Sequence, residues 1–317
     1  MKKLFFSAAA LMCGTLMFAQ SNDSDVNQVG SGNSSAVSQT GMTNYSTVEQ
    51  WGDLNSADVM QDGTSNYSDV DSLGDDNDAT ASQTGDFNTS EIHQGFGTGA
   101  GLNDGNSASV TQNGNSNYGH IDQYGDADGS DDNTSSIDQS GDFNYAYNDQ
   151  VGDFNTSSIQ QAGLSNDAFV DQIGDNNLSQ VWQTGDDNYS TVDQIGDGNW
   201  AQNEQIGDIN DSDINQNGNG NYGGAGQYGD DNESNIDQAG DFNQALTIQT
   251  GTLHLSNVTQ TGDSNLSEVY QDGLSHLSDV TQTGDLNGSY VDQNGTTHTS
   301  DVIQTGNNNS SIVSQND

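Results

Sequence analysis

Glutamine recurs every 11 residues along almost the whole chain, and this period constrains the fold more than any other feature. It stands at 28, 39, 50, 61, 83 and 94, with Ser72 filling the one gap. Gln112 and Gln123 follow, and from Gln139 the series runs unbroken to Gln315. Of 26 such positions, 25 are Gln. A step of 18 residues from Gln94 to Gln112 and one of 16 from Gln123 to Gln139 mark insertions near 95–105 and 126–132. Self-similarity at a fixed period means stacked copies of one small unit, each burying its face against its neighbours.

The unit reads Q-x-G-x-x-N-x-[SA]-x-[VI]-x-Q. Gln183, Gly185, Asn188, Ser190, Val192 and Gln194 give one copy; Gln50, Gly52, Asn55, Ala57, Val59 and Gln61 give another. From Asn to the next Gln the repeated residues fall at every second position, which is the period of a strand with one specified face. Gly two places after Gln, often followed by Asp, supplies a turn. The expected fold is therefore all-β: a β-solenoid, or cross-β stack, of 11-residue strand–turn units with two strands in each 22-residue rung. In-register rungs set Asn on Asn and Gln on Gln, and amide ladders of that kind stabilise cross-β stacks. The absence of Pro fits, because Pro would remove a ladder hydrogen bond.

Composition alone points elsewhere. With 29% hydrophobic residues and a formal net charge of −45, the chain has the make-up of a disordered protein. The order of the residues overrides that reading. Lys2 and Lys3, the apolar run Leu4–Phe18 and the small Ala19 read as a secretory signal peptide, residues 1–19, leaving 20–317 as the repeat solenoid. Its removal takes the only Cys and both Lys residues, and there is no Arg. Disulfides, Lys or Arg ion pairs and a membrane span are then not expected in the mature chain. Nucleic-acid binding is excluded as well, since nothing positive meets phosphate.

The repeat resembles the curlin repeat, in which Gln, Gly, Asn, a small residue and a second Gln recur with this spacing, and the likeness covers roughly residues 26–315. It implies a structural subunit of extracellular curli-like amyloid fibres, serving biofilm matrix and adhesion. It also implies self-association, secretion and nucleation partners at the outer membrane, and a place at the surface of a Gram-negative-type bacterium. The chain departs from the familiar subunits in its larger number of repeats and in lacking a distinct spacer before the first one. The alternative is a monomeric acidic β-solenoid acting as an adhesin or a surface- or ice-binding protein. A regular Thr array would favour it, but Thr40, Thr84 and Thr184 alternate with other residues at that position.

No catalytic constellation, phosphate loop or cofactor motif appears, so the chain is not expected to be an enzyme. Asp153, Asp175, Asp197, Asp241, Asp263 and Asp285 are separated by multiples of 22 residues, with Asn219 in the gap, and form one acidic column. Oxygen ligands so arranged suit Ca²⁺, although one carboxylate per rung is few; the competing reading is a solvated acidic face. In-register like charges should also raise carboxyl pKa values and make assembly favour acid or cations. His254, His276 and His298, also 22 apart, replace the repeat's Asn and should stack, either as tolerated polar substitutes or as zinc ligands. His93 and His120 look isolated. Tyr45, Tyr67, Tyr145, Tyr189, Trp200 and Tyr222 follow the Asn and should face outward, while Phe87, Phe143, Phe154 and Phe242 should cover turns.

Overall fold

The computed structural model describes residues 21–95, 104–125 and 131–317. The leader reading for 1–19 and the interiors of both insertions lie outside these residues. Among them, 26 strands, β1 to β26 in chain order, form two 13-stranded sheets, odd strands in one and even strands in the other. Every pairing is parallel. Tyr189–Ile195 pairs residue for residue with Asp167–Ile173 on one side and Asp211–Asn217 on the other, an offset of 22. Each rung is one odd and one even strand joined by a turn, giving the all-β solenoid that the 11-residue period predicts.

Alternation fixes the core. In Tyr189–Ile195, Ser190, Val192 and Gln194 are buried, while Tyr189, Asp193 and Ile195 are exposed. One column of Val and Ile runs down each inner face, flanked by Ser or Ala on one side and Gln on the other. The side chains are small, so the two sheets approach closely. Asn148 and Asn203 replace a core aliphatic and are accommodated by donating from Nδ2 to the facing hydroxyls of Ser135 and Ser190.

The turn explains the Gly. Gly185 has φ +123°, and a Cβ there would lie 2.0 Å from the carbonyl oxygen of Gly207 one rung on. Left-handed backbone and this close approach both demand Gly. Two residues later the chain is left-handed again, at Asp187 with φ 56°. Phe87, Phe143, Phe154 and Phe242 occupy this second position, with φ between 56° and 61°. They stay exposed, although the ring of Phe242 does lie over Gly220 of the preceding rung.

The insertions do not shift the ladder. β7 (Thr89–Gln94) pairs with β9 (Tyr118–Tyr124) at an offset of 29, and β9 with β11 (Tyr145–Val151) at 27. Gln94, Gln123 and Gln150 thereby stay stacked, with amide contacts of 3.1 and 2.9 Å.

Candidate functional site

Because every strand repeats, the surface features that bear on function are columns and ends. Gln172 Nε2 donates to Gln194 Oε1 at 2.7 Å, and Gln194 Nε2 donates to Gln216 Oε1 at 2.8 Å. The second proton of Gln194 goes to the Leu178 carbonyl at 3.1 Å, in the opposite sheet. Gln183 does the same with Gln205 and the Asp167 carbonyl. Each of these inner glutamines thus ties its own sheet along the stack and the two sheets across it, leaving neither amide proton unused in a buried site. That completeness matters, since a buried amide without partners costs about 1–3 kcal/mol.

Asparagine runs the opposite way. Asn188 donates its backbone N–H to Asn166 Oδ1 at 3.1 Å, and its Nδ2 reaches the Gly207 carbonyl at 2.8 Å. The side chain therefore fastens the turn to the rungs on both sides. Where Ser72 replaces Gln, its hydroxyl keeps one contact, to Gln94 Oε1 at 3.1 Å.

The acidic column forms at the turns. Asp153, Asp175, Asp241 and Asp263 each donate backbone N–H to the Oδ1 of the next column member at 2.9–3.1 Å. Asn219 takes the same place, accepting from Asp197 and donating to Asp241, both at 2.8 Å. Asn307 accepts from Asp285 at 3.0 Å. What the column uses is one side-chain oxygen per rung, which Asn supplies as well as Asp.

On the outward face of the odd-strand sheet, several carboxyls are held above their ordinary range. Asp71 is pushed up to about 6 and Asp149 to about 7, and Asp171 and Asp193 are also raised. Burial is the leading cause in all four, ahead of like-charge repulsion, which corrects the expectation that repulsion would dominate.

His254, His276 and His298 stack with ring centroids 5.0 and 5.1 Å apart. Nδ1 of His254 accepts the backbone N–H of His276 at 3.2 Å, and His254 Nε2 lies 3.1 Å from the Thr250 carbonyl. The imidazole keeps the acceptor role of the asparagine that it replaces, while its other nitrogen faces a carbonyl of its own turn. Burial holds His254 below the usual histidine range.

His93 and His120 are not isolated. Their rings meet edge to face with centroids 5.2 Å apart, and Asp122 touches both. They sit at different positions of the repeat, 27 residues apart, and the insertion hides their proximity. Aligning Gln94 with Gln123 places His93 on Asp122 and Glu91 on His120, which is the signal the spacing alone did not give. Asp122 lies well below its ordinary value: burial opposes this, but hydrogen bonds and charge from His120 and His93 outweigh it.

The outward aromatics pair up along the stack. Tyr45 and Tyr67 lie 5.6 Å apart, Tyr118 and Tyr145 4.7 Å, and Trp200 and Tyr222 5.2 Å. Tyr189 and Trp200 are exposed.

The ends of the described stack are open. β1 (Asp23–Val29) and β2 (Ser34–Met42) have neighbours on one side only, as do β25 (Thr299–Thr305) and β26 (Ser310–Asn316). Val26 is 44% exposed, against 0% for Val48, its register partner.

No curated protein matches the chain. The family model of the curlin associated repeat matches it nine times, at residues 19–52, 52–85, 74–102, 104–127, 131–163, 164–196, 207–240, 229–262 and 256–284. These segments cover well over half of the sequence, and their stacked geometry is the one described above. The chain belongs to the curlin-associated-repeat family.

Proposed function

We propose that this protein is a structural subunit of extracellular curli-like fibres and that it assembles by adding copies end to end. The observation that carries this reading is that the terminal strands of the described stack keep the repeat's own inward residues. Soluble solenoids normally end in atypical repeats with a polar outer face. Here β1 still carries Ser24, Val26 and Gln28, and β26 still carries Ser311, Val313 and Gln315, the repeat's own inward set. Open parallel edges of this kind are templates for another chain.

The ends are also complementary. Gln28 and Gln39 at the first rung donate to Gln50 and Gln61, so their Oε1 atoms point the acceptor end of each row toward an incoming copy. Gln304 and Gln315 accept from Gln282 and Gln293, and their Nε2 atoms form the donor end. A second copy placed head to tail would continue both rows, Gln304 to Gln28 and Gln315 to Gln39. Such a contact joins two different surfaces, does not close on itself, and yields an open filament. The family membership supports reading this fibre as extracellular, serving biofilm matrix and adhesion, with secretion and nucleation partners at the outer membrane. An architectural role of this kind calls for no catalysis.

Seeded growth tests the reading. Val26→Pro and Val313→Pro each damage one terminal strand and leave the inner rungs intact. Added to growing wild-type fibres, each variant should cap one end and slow elongation. Elongation at the unmodified rate with both variants would refute end-to-end addition.

A further inference from the structure

β7 and β9 are neighbouring strands that the chain joins through its longer insertion, and they carry one of two groups of ligand-type side chains among the described residues; the other joins the same His93 to Asp69 and Asp71. On their outward face, Asp122 stands between two imidazoles: His93 Nδ1 is 2.9 Å from Oδ1, and His120 Nε2 is 2.9 Å from Oδ2. His120 Nε2 is buried. The ligand atoms of His93, His120 and Asp122 all lie within 4.8 Å of one another. We propose that these three residues form a zinc-type divalent metal site that staples β7 to β9 across the break in the repeat.

Two imidazole nitrogens and one carboxylate oxygen are a donor set suited to Zn²⁺, with a fourth position for water. Calcium and magnesium prefer all-oxygen shells. Tetrahedral zinc with bonds of about 2.0–2.1 Å spaces its ligand atoms about 3.3 Å apart; here each imidazole stands 2.9 Å from one oxygen of Asp122, and one ligand atom from each residue falls within 4.8 Å of the other two. An outer shell is in place as well. His120 Nδ1 lies 2.9 Å from Glu91 Oε2, and that same oxygen accepts from the Tyr118 hydroxyl at 2.7 Å. A carboxylate on the far nitrogen fixes the tautomer that leaves Nε2 free for metal. The ring of Tyr147, 4.9 Å from that of His120, covers the other side.

The two ligands on β9 are two residues apart, and the third comes from the adjacent strand. Binding would therefore hold the 29-residue register, which has no turn of standard length to define it. The His254–His276–His298 stack makes a natural internal control, because both ring nitrogens of His254 and His276 already face backbone groups.

The test is zinc content of the full-length mature protein, freshly purified and again after assembly, equilibrated with Zn²⁺ in excess Ca²⁺ and washed. Elemental analysis should find about one tightly held zinc per chain. His93→Gln combined with His120→Gln should abolish it, while the triple change His254→Asn, His276→Asn, His298→Asn should leave it intact. Glu91→Gln should weaken binding about ten- to a hundredfold. Co²⁺ in place of zinc should give the visible absorption of a nitrogen- and oxygen-ligated tetrahedral site, absent from the double variant. No retained zinc in the wild type, or equal retention in the His93/His120 variant, would overturn the proposal.

Discussion

The backbone N–H of His276 points at Nδ1 of His254, 3.2 Å away, in the place where Asn210 points its own N–H at Oδ1 of Asn188. Histidine works there because it offers one acceptor toward the next rung and one donor toward its own turn. His276→Asn should therefore leave stability almost unchanged. His276→Ala should cost about 1 kcal/mol or more, because the half-buried N–H of His298 loses its acceptor. Urea unfolding of soluble protein compares the two, and equal losses would contradict the substitution rule.

The same logic applies at the turns. Asp241→Asn keeps the Oδ1 that accepts from Asn219, as Asn219 itself does for Asp197. Asp241→Ala removes it. The alanine variant should unfold at lower urea and the asparagine variant should not. A calcium titration of both reads the second use proposed for this column: binding by Asp153, Asp175, Asp197, Asp241, Asp263 and Asp285 would weaken in either variant.

Buried serines give the converse case. Among the described residues, Ser179, Ser212 and Ser234 have buried hydroxyls with no hydrogen-bond partner. Ala57, Ala79 and Ala168 fill the equivalent positions with no loss of burial. Ser179→Ala, Ser212→Ala and Ser234→Ala should each be neutral or stabilising by up to about 1 kcal/mol. Ser190→Ala should not, because Ser190 accepts from Asn203. Thermal melts rank the four.

Acidity should act with both signs. Asp71, Asp149, Asp171 and Asp193 have raised values in the fold, so the folded state binds protons more tightly than the unfolded chain. Their effect is to increase stability as pH falls from above 7 toward the unfolded carboxyl value of about 3.9, and to diminish it as pH rises through the folded values. His254 opposes this. Its value is depressed by burial, so stability is lost as pH falls below the unfolded value of about 6.5. Stability should therefore rise on mild acidification and then turn over. Replacing the three stacked histidines by Asn should move the turnover to lower pH. Unfolding midpoints between pH 4 and 8 check this, and coincident curves for both proteins would contradict it.

Much of the fold was legible because one period carried it. Alternation from Asn188 to Gln194 gave the inward face, and the Gly185–Asn188 spacing gave the turn. What the sequence did not reveal lies where stacking depends on three-dimensional register. The Asp column read as a charge array, but its Oδ1 atoms are spent on backbone N–H groups, which only the turn geometry discloses. The turn phenylalanines read as covers; all four sit exposed at left-handed positions, with Phe242 lying over the turn glycine Gly220. His93 and His120 belong to different columns in neighbouring rungs, and a period broken by insertion gave no cue that they meet.

Cryo-electron microscopy of fibres grown from the mature protein shows whether copies continue one another's rungs. One unbroken stack is expected, with strands about 4.8 Å apart along the fibre axis. β25 and β26 of one copy should pair with β1 and β2 of the next, with Gln304 over Gln28 and Gln315 over Gln39. A protein that remains monomeric at every concentration, or fibres whose solenoids lie side by side without shared strands, would contradict it.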